Sequence, residues 1–147
     1  MGRRKPGRKK MIRISNLTAK AFKKYGIVLE QRNKKKVFSV IAGDPKAAGW
    51  RIGYLIFSPA PVDSLERHPE SMETFEPVSG TTVMLVAPQN APEKMEAFLL
   101  DKPVCVAKNI WHAVRVMSES AEIKITENFE VESVIYKLKK PVDIAIV

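Results

Sequence analysis

The chain has 147 residues, 45% of them hydrophobic and 28% charged, which suits a single soluble domain with a core of its own. No apolar run is long enough to cross a bilayer, and no apolar segment follows the basic start as a secretory signal would require. Cys105 has no second cysteine to pair with, so a reducing cytoplasm is the expected compartment.

The net charge of +9 is concentrated at the start: Arg3, Arg4, Lys5, Arg8, Lys9 and Lys10 carry six of the positive charges and leave +3 for the rest. A terminal charge block of this kind reads as a disordered tail over 1–11, preceding one domain over 12–147. The tail has no aromatic side chain to stack on bases, so nucleic acid is not the expected partner, and neither is a membrane. Thr18 can cap a short helix running to Tyr25, where Gly26 supplies the stop. Ile27–Leu29 and Val37–Ile41 follow as expected strands, with Gly43-Asp44-Pro45 as a turn. In the longer strand Trp50–Phe57, Trp50, Ile52, Tyr54 and Ile56 share one face.

Ser58-Pro59-Ala60-Pro61 ends that strand, and Val62–Glu66 opens the next. Thr82–Ala87 is a buried strand by composition, after a turn at Ser79-Gly80. Pro92 at a first helical position, with Glu93 beside it, predicts a second helix through Leu99. Val104–Val106, Ile110–Val114, Glu122–Ile125 and Val134–Tyr136 complete the pattern. About ten short strands and two short helices describe an all-β protein, a closed antiparallel barrel or sandwich.

The chain has two histidines, and each lies in a segment that can form half of a metal site. Glu66 and His68 are two apart, so in a strand they point to one face; Glu73 can rejoin them after a bend, and His112 can reach in from a neighbouring strand. Two imidazoles and two carboxylates suit a divalent transition metal, with no choice among Zn, Fe, Ni and Mn from ligand softness. Other residues read more plainly: Trp111 as barrel core, Cys105 as a small buried hydrophobe, and Lys108 as a solvated turn lysine or an anchor for a carboxylate.

The order Glu66, His68, Glu73 and then a distant His112 resembles the ligand order of a cupin barrel, with glutamate in place of the first histidine. Leu65–Pro69, Phe75, Pro77, Gly80, Val83–Ala87, Asn109–His112 and the opening Leu17–Gly26 together resemble the ureidoglycolate lyase family of that superfamily. The resemblance implies a cupin-type β-barrel (a double-stranded β-helix) that forms a homodimer, binds a divalent metal and takes a small-molecule carboxylate substrate. It also implies an activity, the cleavage of ureidoglycolate to glyoxylate and urea in purine (allantoin) breakdown, or a reaction on a related hydroxy or oxo acid. The residues expected to carry it are Glu73, as ligand or base, with His112 and Lys108. The chain departs from the family pattern at Ala113, where a second histidine is common, at Pro103, Cys105, Val106 and Ala107, and at Glu73, where glutamine is usual. These departures keep a non-catalytic, ligand-binding or structural cupin dimer open as the alternative.

Overall fold

A computed structural model describes residues 10–145. The tail therefore lies outside the described residues up to Lys9, while Lys10 and Met11, read above as part of it, are in a strand. That strand is β1 (Lys10–Ser15), and a one-turn helix α1 (Ala19–Phe22) follows. Then come β2 (Gly26–Val28), β3 (Arg51–Phe57), β4 (Val62–Arg67), β5 (Glu73–Ser79), β6 (Thr82–Ala87) and β7 (Glu96–Leu99). The chain continues as β8 (Val104–Val106), β9 (Trp111–Val116), β10 (Ala121–Glu127) and β11 (Val134–Ala145).

Six strands close into a ring in the order β1-β11-β4-β9-β6-β7, and five form a second sheet in the order β2-β8-β5-β10-β3. The fold is the expected all-β, cupin-type barrel. It is mixed rather than wholly antiparallel, because β1 runs parallel to both β11 and β7 and closes the ring between them.

Two apolar clusters result, and β6 serves both. Val83, Leu85 and Ala87 join Leu65, Trp111, Val142 and Ile144 in one. Met84 and Val86, on the other face, join Phe75, Phe98, Val104, Ile123 and Ile125 from both sheets. All six β6 residues are buried, which is why this strand reads as a continuous apolar run rather than an alternating one. Each large side chain buried this way contributes about 1.5–3 kcal/mol.

α1 is capped as expected, with the Thr18 hydroxyl accepting from the Ala21 N–H at 3.1 Å, but it stops at Phe22 and leaves Tyr25 in a turn. Phe22 and Tyr25 pack with Phe98, their ring centroids 5.4 and 6.1 Å from it.

Two expected elements are not there. The helix over Pro92–Leu99 is instead a turn, with Lys94 N–H donating to Ala91 O, followed by β7. The reason lies in burial: Ala97 points to one cluster and Phe98 to the other, a period of two that a helix could not satisfy. Val37–Ile41 has β-forming composition but pairs with no strand, and Val37, Phe38 and Val40 are exposed. In β3 the face shared by Ile52, Tyr54 and Ile56 is the outer one, while Leu55 and Phe57 pack on the core.

Gly80 has φ +76° in the turn between β5 and β6, and an added Cβ would collide with the backbone at Ser120 and Ala121. Gly80→Ala combines left-handed strain with that collision, and a loss of about 2–3 kcal/mol is expected in urea unfolding, seen as a lower midpoint at unchanged slope.

Candidate metal centre

Backbone pairing brings two of the four candidate residues together, and the facing sheet supplies a third. Glu66, near the end of β4, lies opposite His112 on β9, and His112 in turn lies opposite Val86 of the buried strand β6. Alternation along β9 sends Trp111 into one cluster and turns His112 toward the other, where its ring meets Phe75 at 5.4 Å. Glu73 opens β5 on the facing sheet, opposite Val106. His68 lies one residue past the end of β4, and the chain between it and Glu73 is pinned from outside. Asn128 donates its N–H to the Ser71 hydroxyl at 3.0 Å and its amide to the Glu70 carbonyl at 3.1 Å.

The four side chains converge, with one ligand atom from each lying within 4.8 Å of all the others. Glu73 Oε2 is 2.9 Å from His68 Nε2 and 2.9 Å from His112 Nε2. Glu66 Oε1 stands further off, 4.0 Å from His68 Nε2 and 3.9 Å from His112 Nε2. His68, Glu73 and His112 are buried, whereas the Glu66 side chain is 41% exposed and forms the solvent side.

The other ring nitrogens decide what this cluster can hold. His112 Nδ1 lies 2.9 Å from the Ile110 carbonyl, and His68 Nδ1 lies 3.0 Å from the Glu132 carbonyl. A carbonyl only accepts, so each Nδ1 carries its proton and, in the neutral ring, each Nε2 presents a lone pair. Two nitrogen lone pairs and a carboxylate oxygen then face one another, buried. Despite the short separations the directions do not suit an N–H···O bond, and His68 Nε2, His112 Nε2 and Glu73 Oε2 have no hydrogen-bond partner. Buried acceptors without donors are costly, and a cation between them removes the cost. Ligands about 2.1 Å from an ion lie about 3 Å apart at a right angle and about 3.4 Å apart in a tetrahedron. The 2.9 Å separations match the former. The residues therefore fit a divalent metal, and the orienting carbonyls are the usual outer support for histidine ligands.

Protons are the other cations such a cluster attracts. Burial alone would lower the His68 pKa, but Glu73, the Glu132 carbonyl and Glu66 more than offset it and push it up to about 9. Burial would raise the Glu73 pKa, and the two imidazoles reverse this and bring it down to about 2.

Sequence reasoning missed a latch that joins the two halves. The Arg67 guanidinium donates to Asn109 Oδ1 at 2.5 Å and lies over the Trp111 ring at 5.1 Å. Asn109 N–H donates to the His68 carbonyl at 2.9 Å. Asn109 adopts φ 66°, a left-handed conformation that asparagine tolerates better than most residues. Its place before Ile110 and Trp111 was the available signal. Lys108 is engaged elsewhere, its ammonium 2.8 Å from Asp44, whose carboxyl it holds below the usual range. Cys105 is buried, and burial, with the Glu73 charge adding to it, pushes its thiol up to about 11, so it stays neutral.

Comparison with known proteins now bears on this geometry. The family model described as ureidoglycolate lyase matches residues 53–131, which include all four converging residues. The chain belongs to the ureidoglycolate lyase family. It is 28% identical over 120 residues to the ureidoglycolate lyase of Rhizobium leguminosarum bv. trifolii, covering 67% of this chain and 72% of that protein. With the ureidoglycolate lyase of Agrobacterium fabrum the identity is 28% over 122 residues, covering 69% and 74%. Among solved structures, Bacillus subtilis oxalate decarboxylase is similar with a TM-score of 0.48 at 15% identity, over 62% of this chain and 24% of that one. The WlaRB TDP-quinovose 3,4-ketoisomerase of Campylobacter jejuni has a TM-score of 0.45 at 15% identity, over 63% and 68%.

In this family member the metal-free cluster should make stability depend on pH from both sides. Glu73 stabilises fully above its unfolded value of 4.5, and the contribution is lost as pH falls toward about 2. His68 stabilises fully below its unfolded value of 6.5, and that contribution is lost as pH rises through about 9. Thermal melts of metal-free protein should therefore plateau between these two unfolded values and fall on either side. Glu73→Gln should lower the plateau and flatten both flanks. A melting temperature still climbing above pH 9 would contradict the assignment.

Proposed function

We propose that His68, His112 and Glu73 hold one divalent transition metal with Glu66 beside it on the solvent side, and that the chain is a ureidoglycolate lyase-like enzyme releasing glyoxylate and urea. A related small hydroxy or oxo acid is the other substrate within this reading. The observation that carries it is the buried meeting of two imidazole nitrogens and a carboxylate oxygen without a hydrogen bond among them. Family membership supplies the reaction class.

When bound, such an ion supplies a Lewis acid that can chelate a carboxylate and its neighbouring hydroxyl and stabilise negative charge on them. The remaining work falls to the side chains. Glu73, held ionised down to about pH 2, is a weak base and suits a ligand. His112, fixed by the Ile110 carbonyl and packed on Phe75, is likewise a ligand. Glu66, at the solvent side, is the carboxylate placed to take the substrate hydroxyl proton. As the O–H electrons form the new C=O bond, the C–N bond breaks with its electrons on nitrogen. The same carboxyl can then return the proton to that nitrogen, and urea leaves. Lys108, paired with Asp44, has no part in this proposal. A buried, neutral thiol at Cys105 is compatible with a reducing cytoplasm, and no helix among the described residues is long and apolar enough to cross a membrane.

Metal analysis of the purified protein should give about one equivalent per chain, and urea should be released from ureidoglycolate. His68→Ala and His112→Ala should each lose both metal and turnover. Glu66→Gln should keep the metal and lose at least about 100-fold in kcat, as removal of a general acid–base does. Stable, folded protein with no metal affinity would instead favour the non-catalytic cupin.

The homodimer expected from the resemblance has a candidate surface. β3 is an edge strand with Ile52, Tyr54 and Ile56 exposed on one face, and Trp50 beside them is exposed too. Paired antiparallel with β3 of a second copy about a two-fold centred on Tyr54, Ile52 would face Ile56 and no like charges would meet. Light scattering should show a dimer at micromolar concentration, and Ile52→Lys with Ile56→Lys should yield a monomer. A monomeric parent protein would rule the arrangement out.

A further inference from the structure

The metal centre opens onto a cleft whose chemistry limits what can lie beside the ion. One part, about 180 Å³, includes Glu66 and His112 with Ser64, Leu65, Ala113 and Ile135. The next, about 250 Å³, shares Ser64 and Ala113 with it and runs on along β4 and β9 to the end of β3. Together their volumes lie at the small end of the range of about 300–1,000 Å³ usual for ligand pockets. Beyond the metal-facing residues the walls include the apolar side chains of Phe57, Ala60, Pro61, Ala113, Val114 and Ile135 alongside polar surface. The other lining residues with polar side chains are Ser58, Ser64 and Asp63. Asp63 and Glu66 place the same sign of charge along the cleft, so a second carboxylate on the ligand would be repelled there, while an alkyl chain would leave water for Phe57, Val114 and Ile135.

We infer that the ligand is a small monocarboxylic acid with a 2-hydroxy or 2-oxo head at the metal and a neutral, mostly apolar tail of a few carbons in this cleft. The inference rests on the metal-site reading above, whose failure is separable from its own. The ureido tail of ureidoglycolate is neutral and so is admitted, but its N–H groups gain less from these walls than a branched alkyl group does.

Calorimetric titration of the Mn(II)-loaded protein with glycolate, lactate, 2-hydroxyisovalerate and malate tests it. Each added carbon should tighten binding about four-fold, the value of burying one methylene, so 2-hydroxyisovalerate should bind at least about ten-fold tighter than lactate. Malate should bind more weakly than lactate. Ser64→Arg, which sets a cation where the two parts of the cleft meet, should reverse the order of malate and 2-hydroxyisovalerate. Should that variant fail to fold, the exposed Asp63→Asn should strengthen malate alone. Glycolate binding with no gain along the alkyl series, or malate binding as well as lactate, overturns the tail assignment. No binding of glycolate overturns the metal-site reading and this inference with it.

Discussion

The positions of His68, His112 and Glu73 are set by one constraint: two imidazole nitrogens and a carboxylate oxygen are buried together and aimed at a common point. With both rings neutral such a meeting is unfavourable, since acceptors repel and water is excluded, and a proton on His68 relieves it. It persists because each contributing group is fixed from behind. The rings are held through Nδ1 by main-chain carbonyls, and Glu73 is held by its place in a ladder between β8 and β10. Most of the free energy for this arrangement comes from the two apolar clusters that join at β6, with no large contribution from the polar groups themselves. The cluster is thus a place where the fold holds local repulsion until a cation relieves it.

The charge of the cluster follows from the same packing. Burial works against any ion here, yet Glu73 stays ionised and His68 is driven toward its protonated form because each is the other's nearest compensation. A bound metal would replace protons in that role, so its affinity would fall in acid as protons compete for the same nitrogens. Glu66 differs from the other three in exposure and in distance, 3.9 and 4.0 Å from the histidine nitrogens. In the proposed function that difference separates holding from reacting: buried ligands would keep an ion, and a solvent-side carboxylate could exchange protons.

Much of the site could be read in the sequence because strand geometry relates spacing to direction. Glu66 and His68 two apart, a bend at Pro69 and a distant histidine beside a core tryptophan suffice to propose convergence, and the four do converge. Composition identified the interior character of β6, and a strand was expected over Glu122–Ile125, where β10 lies. What could not be read was decided by partners far along the chain. Ala97 and Phe98 serve opposite cores, which only the placement of β7 between β1 and β6 reveals, so Pro92 looked like a helix start. Val37–Ile41 has the composition of a strand but no strand beside it. The Glu132 and Ile110 carbonyls that fix the imidazoles carry no side-chain signature at all, because any residue supplies a carbonyl. The Arg67–Asn109 latch lay within the recognised motifs, but its contact spans 42 positions and has no periodic signal.

Strand β3 shows how one period of two can serve two unrelated purposes. Its inward residues Leu55 and Phe57 pack on the core, and Phe57 goes on to wall the cleft that leads to the metal centre. Its outward residues Ile52, Tyr54 and Ile56 remain exposed, on the opposite side of the same backbone. A substitution on the outer face therefore reaches the cleft only through the strand's position, whereas one at Phe57 changes the cleft wall directly. If a second copy pairs along this edge, it would restrain the backbone that carries Phe57 and so the width of the cleft. Assembly and ligand fit would then be coupled through seven residues of main chain, without any contact between the docking face and the metal site.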